Sequence, residues 1–442
     1  MIPFMKLPRF IIRMNKSGKQ MIIGLDDTDS KEGMCTTYIA AVLIEKLKAF
    51  GRVEGYPLLI RLNPNIIYKT RGNAALAIPI DMKRSEDAGP IKKIVIDTIE
   101  EMAVFSAQNT NPGVVFIEES SEGMKKDLAR FSLRAVRDVL EIREAEELLL
   151  RYGISHKGFK NGRGLIGALA AAGFALTGLP DLTYELIAYR EKKRWGTPRL
   201  IEEDSVWKAA AQPDTWDTVD HESKRIVFAP HSPDPILFGI RGKSELAVRR
   251  AFSLIKSEPL ERYVVYMTNQ NTDMHLMKAK ISEVLDFRSY MLEGTVTKPP
   301  RTMEGGHVIL EIGDGTSTME CAAFEPTKGF RSIIRRLRVG DEVTVYGSVK
   351  EGTLNLEKLK LTALNRHESK NPLCCAKRMK SMGRQQGYRC EKCGATAKEQ
   401  VIESIKRNIS TGFYEVPPSA RRHLSKPLVR FQEHQEESSC AR

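Results

Sequence analysis

The 442-residue sequence has no apolar run long enough to span a bilayer. Its most apolar stretch, Leu165 to Leu179, holds three glycines and falls short of the roughly 20 residues needed to cross about 30 Å of hydrocarbon. It lacks Gly-x-x-x-x-Gly-Lys-Ser/Thr, which excludes a P-loop, and it lacks a Gly-x-Gly-x-x-Gly between a strand and a helix. Cysteine is scarce. Four of the 7 lie within one short segment, Cys374 to Cys393, and the others are scattered, so a disulfide-stapled secreted domain is excluded and a reducing, cytoplasmic setting is expected. Lys6, Arg9 and Arg13 flank only Phe10-Ile11-Ile12 with no small-residue cleavage site, which does not make a signal peptide. Residues 1–20 read as a leader, or as a misassigned start with Met14 or Met21 as the true one.

What is present is a soluble, globular composition, 41% hydrophobic and 28% charged, in a chain long enough for about three or four domains. The net charge is +13, and residues 366–442 carry 16 lysines and arginines against 8 aspartates and glutamates. That concentrates +8 in the last segment, as a polyanionic partner would favour.

The apolar run Met21 to Leu25 predicts a buried strand, followed by an acidic loop over 26–35. A helix follows, with Ile39, Leu43, Ile44, Leu47 and Phe50 on one face. Strands are expected at 58–62 and 74–78, a helix at 91–102, a strand at 114–117, one helix over 128–150 and a small-residue helix at 165–176. Further strands are expected at 236–238 and 263–267, closing a catalytic body at 21–287. Residues 288–366 alternate as five short strands with one helix between the third and fourth, the order of an OB-fold, a barrel that often holds single-stranded nucleic acid. A zinc-ribbon-like region (371–396) and a basic tail (397–442) complete a multi-domain α+β chain.

Asp26, Asp27 and Asp29 crowd three carboxylates at the end of the first strand. Such carboxylates repel one another unless a cation compensates, and magnesium is the natural one. Gly33-Met34-Cys35-Thr36-Thr37 then enters a helix, whose N-terminus presents N–H groups to phosphate. Together these point to a nucleotide site. Asn161-Gly162-Arg163-Gly164 is a second helix entry. His231 and Asp234 sit in a loop stiffened by Pro230, Pro233 and Pro235, and Arg241 in Gly-Ile-Arg-Gly is a phosphate-clamp candidate. Cys390 and Cys393 form a Cys-x-x-Cys knuckle, whereas Cys374 and Cys375 are adjacent. The spacing predicts zinc with one ligand displaced or absent.

The motifs together resemble the archaeal tRNA-Ile 2-agmatinylcytidine synthetases, the TiaS family. The resemblance rests on Gly-Leu-Asp-Asp-Thr-Asp-Ser at 24–30 with Gly-Met-Cys-Thr-Thr at 33–37, Arg-Leu-Asn-Pro-Asn at 61–65 and Lys-Thr-Arg-Gly-Asn at 69–73. It continues through Asn-Gly-Arg-Gly, Trp-Gly-Thr-Pro-Arg at 195–199, the three-proline loop, Gly-Ile-Arg-Gly and Thr-Asn-Gln-Asn-Thr-Asp at 268–273. The OB-fold, the cysteines and Tyr-Glu-Val-Pro-Pro at 414–418 extend it to about residues 21–430. It implies a kinase-like catalytic domain, a ferredoxin-like domain at roughly 111–200, and an enzyme that uses ATP to attach agmatine to the wobble cytidine of isoleucine tRNA. It implies base activation by phosphorylation, a phosphorylated threonine at Thr36, magnesium on Asp26, Asp27 and Asp29, and tRNA gripped by the OB-fold, ribbon and tail. ATP or substrate contacts are implied for Gly24, Thr28, Ser30, Thr37, Lys69 and Arg71, and also for Asn161, Arg163, His231, Asp234, Arg241 and Asp273. Two rivals remain at this level: a non-catalytic single-strand-binding protein, and a different ATP-dependent RNA ligase or kinase.

Overall fold

A continuous sheet of ten strands runs between Gln20 and Thr268 and brings functional side chains to one crevice. The computed structural model describes residues 19–70 and 72–431. The leader up to residue 18, Arg71 and the tail beyond 431 lie outside the described residues. In chain order the body contains β1 (Gln20–Asp26), α1 (Thr36–Leu47), β2 (Gly51–Val53), β3 (Leu58–Arg61), β4 (Ala74–Met82) and α2 (Ala88–Met102). Next come β5 (Gly113–Ile117), α3 (Glu122–Arg137), α4 (Ile142–Arg151), β6 (Ser155–Gly158), α5 (Gly164–Thr177) and β7 (Thr183–Arg190). It ends with α6 (Glu203–Ala210), β8 (Thr215–Trp216), β9 (Val219–Asp220), β10 (Arg225–Ile226), β11 (Ile236–Gly242), α7 (Glu245–Phe252) and β12 (Leu260–Thr268).

The sheet order is β6-β5-β1-β4-β3-β12-β7-β11-β8, with β2 paired to β4. Its two halves meet at β3 and β12, which run parallel over Leu58–Met267 and Leu59–Thr268. β5 and β6 join β1 in the first half, so the break between the halves falls later than residue 111. Each face carries its own core. On β1 the two-residue alternation of a strand sends Ile23 and Leu25 into the core under α1 and α2, and Ile22 into the core under α3, α4 and α5. Gly24 lies on the α5 side, where a Cβ would collide with the Ala168 carbonyl. Its role is close packing of strand on helix.

One expected element differs, and one observed strand was not expected. The single helix over 128–150 is two, α3 and α4, broken at Asp138, whose carboxylate accepts from the Val139 N–H (2.7 Å) and pairs with Arg288 at 2.7 Å. Glu141 then restarts the helix, its N–H donating to the Glu144 carboxylate at 3.2 Å. The strand β7, central to the second half, has no counterpart in the sequence reading.

The barrel comprises β13 (Leu276–Lys278), β14 (Ser289–Thr302), β15 (Val308–Gly313), β16 (Thr318–Ala323), α8 (Gly329–Ile334), β17 (Glu342–Lys350) and β18 (Thr353–Ala363). β14 pairs with both β15 and β17, closing the OB-fold. The chain then makes the small cysteine-bearing region and returns. Gly412–Glu415 adds a strand to β18, and 416–431 runs back along the body as a strap. This strap is part of the segment expected as a basic tail, and its basic side chains engage the body. Arg421 pairs with Asp217 and with Glu415 (2.7 Å), Arg422 bonds Asn65 at 2.7 Å, and Lys426 and Arg430 both reach Asp181.

Candidate active site

At the C-terminal end of β1, between the two halves of the sheet, lies a cavity of ≈ 570 Å³ lined by Asp26, Asp27, Asp29, Thr36 and Thr37. Strand alternation puts Asp26 on the α5 side, directly against Gly167, where any Cβ would collide with its carboxylate. The chain turns at Asp27 (φ 58°), so Asp27 does not continue the strand. Its carboxylate accepts the Asn111 N–H at 3.1 Å, while Asp26 accepts the Asp27 N–H at 2.7 Å. Burial, and next the charge of Asp27, hold the Asp26 carboxyl well above the usual range. Burial, and next Asp29, push Asp27 up to about 7.

Facing these acids is the start of α1. The Cys35 side chain does not cap the helix backbone, and the first turn has no acidic residue, so the positive end of the helix dipole points into the cavity. That end is fixed from below: the Tyr266 hydroxyl donates to the Thr37 carbonyl (2.9 Å) and meets the Tyr189 hydroxyl at 3.0 Å, both rings fully buried.

Cations complete the wall. Arg61, brought down to about 10 by burial, stays charged and donates to Gln270 at 3.0 Å. Arg241 bonds Glu185 (3.2 Å) and His423 Nδ1 (2.6 Å). Burial, then Arg61, Arg241 and Lys69, hold His423 well below its usual value. It is therefore neutral, and accepting at Nδ1 assigns its proton to Nε2. Arg163 stacks on the Tyr68 ring, 3.9 Å from the centroid.

Of the expected residues, the cavity collects Asp26, Asp27, Asp29, Thr36, Thr37, Lys69, Arg163, His231, Asp234 and Arg241. Asp234 is a strut within the three-proline loop: it is buried, pairs with Arg199 at 3.3 Å and accepts the Ile236 N–H. Gly24, Thr28, Ser30, Asn161 and Asp273 are not in the lining. Ser30 closes its own loop onto the Gly33 carbonyl (2.9 Å), and Asn161 accepts the Arg163 N–H (2.9 Å). Asp273 binds Lys358 of the barrel at 2.6 Å. Sequence reasoning missed Gly167, Glu185, Asp217, Arg421 and His423 as site residues. Arg61 stood in a quoted motif without a role.

The four cysteines converge although two are adjacent. Their sulfurs lie within 4.8 Å of one another, with Cys374 and Cys393 3.4 Å apart. A left-handed turn at Cys375 (φ 49°) and Ala376 (φ 64°) redirects the chain in place of the missing spacer. The expected displaced or absent ligand is corrected: all four reach, and tetrahedral zinc with Zn–S of about 2.3 Å needs sulfurs about 3.8 Å apart. Among the described residues the three aspartates do not close into a comparable cage, and no helix is long and apolar enough to cross a membrane.

Family models match in series: the TiaS TCKD domain over 22–161, the TiaS FLD domain over 162–275, an OB-fold nucleic acid binding domain over 290–364 and the TiaS C-terminal zinc ribbon domain over 371–409. The FLD match begins at 162, where the sequence reading placed a ferredoxin-like domain at roughly 111–200. The chain is 52% identical over 420 residues to the tRNA(Ile2) 2-agmatinylcytidine synthetase TiaS of Methanosarcina mazei, covering 93% of this chain and 97% of that one. It is 46% identical to the Archaeoglobus fulgidus enzyme of the same name, over 92% of this chain and 97% of that one. The crystal structure of a TiaS–tRNA(Ile2)–ATP complex superposes with a TM-score of 0.84 at 46% identity, covering 93% of this chain and 97% of that one. A TiaS–tRNA(Ile2)–AMPCPP–agmatine complex gives 0.82 at 43% identity with the same coverage. The acidic crevice, the barrel and the four-cysteine region thus occur in one known order, and the chain belongs to the TiaS family of tRNA(Ile2) 2-agmatinylcytidine synthetases.

Proposed function

We propose that the chain is an ATP-dependent ligase that attaches agmatine to the wobble cytidine of an isoleucine tRNA after phosphorylating the base at its 2-oxo group. The observation that carries this reading is the cavity itself. Partly buried carboxylates at the end of β1 face an uncapped helix N-terminus across a wall of arginines, in a chain collinear with relatives named for that reaction.

A carbonyl oxygen is a poor leaving group. Transfer of a phosphoryl group to the cytosine O2 makes it a phosphate ester, so that the agmatine amine attacks C2 and phosphate departs with the oxygen. The start of α1 and the arginines stabilise the phosphates. Asp26, Asp27 and Asp29 fit magnesium, which takes one or two carboxylates and fills its shell with water and substrate phosphate. Bound there, it would offset charge on the transferring phosphoryl group. Thr36, in the first turn of α1 and inside the cavity, is positioned to receive a phosphoryl group itself. The four cysteines hold zinc, which keeps the small ribbon folded, and ribbon and barrel bind the tRNA. The modified base pairs with adenine, so the tRNA reads AUA, and the enzyme works in the cytoplasm where that tRNA is used.

Incubation with unmodified isoleucine tRNA, ATP and labelled agmatine is expected to give ATP-dependent label in the tRNA. Tight tRNA binding without incorporation would support a binding protein, and incorporation of a different amine would keep the ligase class while replacing the substrate.

A further inference from the structure

Between β3 and β4, Ile66, Tyr68, Lys69, Thr70, Gly72 and Asn73 line the cavity. This segment is anchored: Asn63 Nδ2 donates to the Asp138 and Phe287 carbonyls at 3.0 and 2.9 Å, and Asn73 Nδ2 donates to the Asn63 carbonyl at 2.7 Å. Among its residues Tyr68 lines the cavity yet remains 51% exposed. The other phenyl-type ring in the lining, Phe228, is buried and stacked on Phe238 at 4.9 Å. One face of Tyr68 is covered by the Arg163 guanidinium, 3.9 Å from the ring centroid, and Arg163 also stands at the entry to α5 beside the acidic centre.

A nucleobase whose O2 is to be phosphorylated inside this cavity must leave the stack of its own strand and gives up its stacking there. An exposed aromatic surface in the lining restores part of that without reading the base. We propose that Tyr68, backed by Arg163, is a stacking platform for the cytosine that enters the cavity, setting the fraction of bound tRNA with its base flipped in. The inference rests on the ligase reading above. Tyr68 is on this account a binding residue that touches the substrate base, and Arg163 is the positioning residue that holds the ring broadside to it. Overall tRNA affinity comes mainly from phosphate contacts elsewhere, so the platform acts on what happens after binding.

The test uses the full-length protein. Single-turnover agmatine incorporation at saturating tRNA and ATP is measured for the parent, Tyr68→Phe and Tyr68→Ala. Losing the platform is expected to lower the rate on the order of ten- to hundredfold in Tyr68→Ala, with the tRNA Kd nearly unchanged, and Tyr68→Phe, which keeps the ring, is expected to lose much less rate than Tyr68→Ala. In parallel, Tyr68→Trp reports stacking directly. Its added fluorescence is expected to be quenched by isoleucine tRNA and not by the same tRNA made abasic at the wobble position. A parent-like rate in Tyr68→Ala, or equal quenching by the abasic tRNA, overturns the platform. Failure of the parent to incorporate agmatine counts against the ligase reading instead, and the quenching comparison still decides the platform.

Discussion

Asp27 sits at a turn with its carboxylate turned inward, and burial raises it to about 7. An unfolded aspartate titrates near 4, so proton loss between about pH 4 and 7 disfavours the folded state, and the penalty is complete above pH 7. In buffer free of divalent cations, Asp27→Asn is therefore expected to melt above the parent at pH 8 and to match it near pH 4. The same change is expected to lower turnover about 100-fold or more, by removing charge the phosphoryl transfer needs. Calorimetry at the two pH values checks the first part, and parent-like melting at pH 8 would contradict it. Thr36→Ala is expected to abolish ATP-dependent self-phosphorylation of the chain. Peptide mass spectrometry that still finds phosphothreonine elsewhere would move the assignment.

At the scale of elements, the site depends on how closely α5 approaches β1. Gly167→Ala places a methyl group on the Asp26 carboxylate, and overpacking of this kind costs about 1–3 kcal/mol. The variant is expected to stay folded, melt several degrees lower and lose about tenfold or more in rate; unchanged kinetics would mean that Asp26 tolerates displacement. Much of this layer was legible beforehand. β1, α1 and α5 announce themselves through an apolar run, a helical apolar stripe and a block of small residues, each a local pattern. The OB-fold is legible for the same reason. β7 was not, because Thr183–Arg190 interrupts its apolar residues with Glu185, whose partners Arg241 and Gln270 are distant in sequence. The α3–α4 break was hidden because Asp138 ends the helix through contacts that a periodicity count does not see. His423 and Arg421 were invisible as site residues, since nothing local shows that the chain returns from the ribbon to the crevice.

Over the whole molecule, the strap makes the cavity a product of both ends of the chain. Truncation after Tyr414 removes Arg421 and His423 from the lining, takes Arg421 away from Asp217, which keeps Arg241, and removes Lys426 and Arg430 from Asp181. It is expected to abolish ligation, with loss of more than tRNA affinity alone, and activity recovered merely by raising tRNA concentration would contradict that. The cysteine tetrad makes a separate prediction. The purified chain is expected to hold zinc, and Cys375→Ser to weaken its retention against a chelator, because the left-handed turn brings the adjacent cysteine into the ligand set. Equal zinc content and retention in Cys375→Ser would return Cys375 to a bystander.

The central claim is that the oxygen leaves cytosine as phosphate. Isoleucine tRNA carrying ¹⁸O at O2 of the wobble cytidine, incubated with the protein, ATP and agmatine, tests it most directly. The ¹⁸O is expected to appear in inorganic phosphate in step with agmatine incorporation. Recovery of the label in AMP or in water would contradict base phosphorylation.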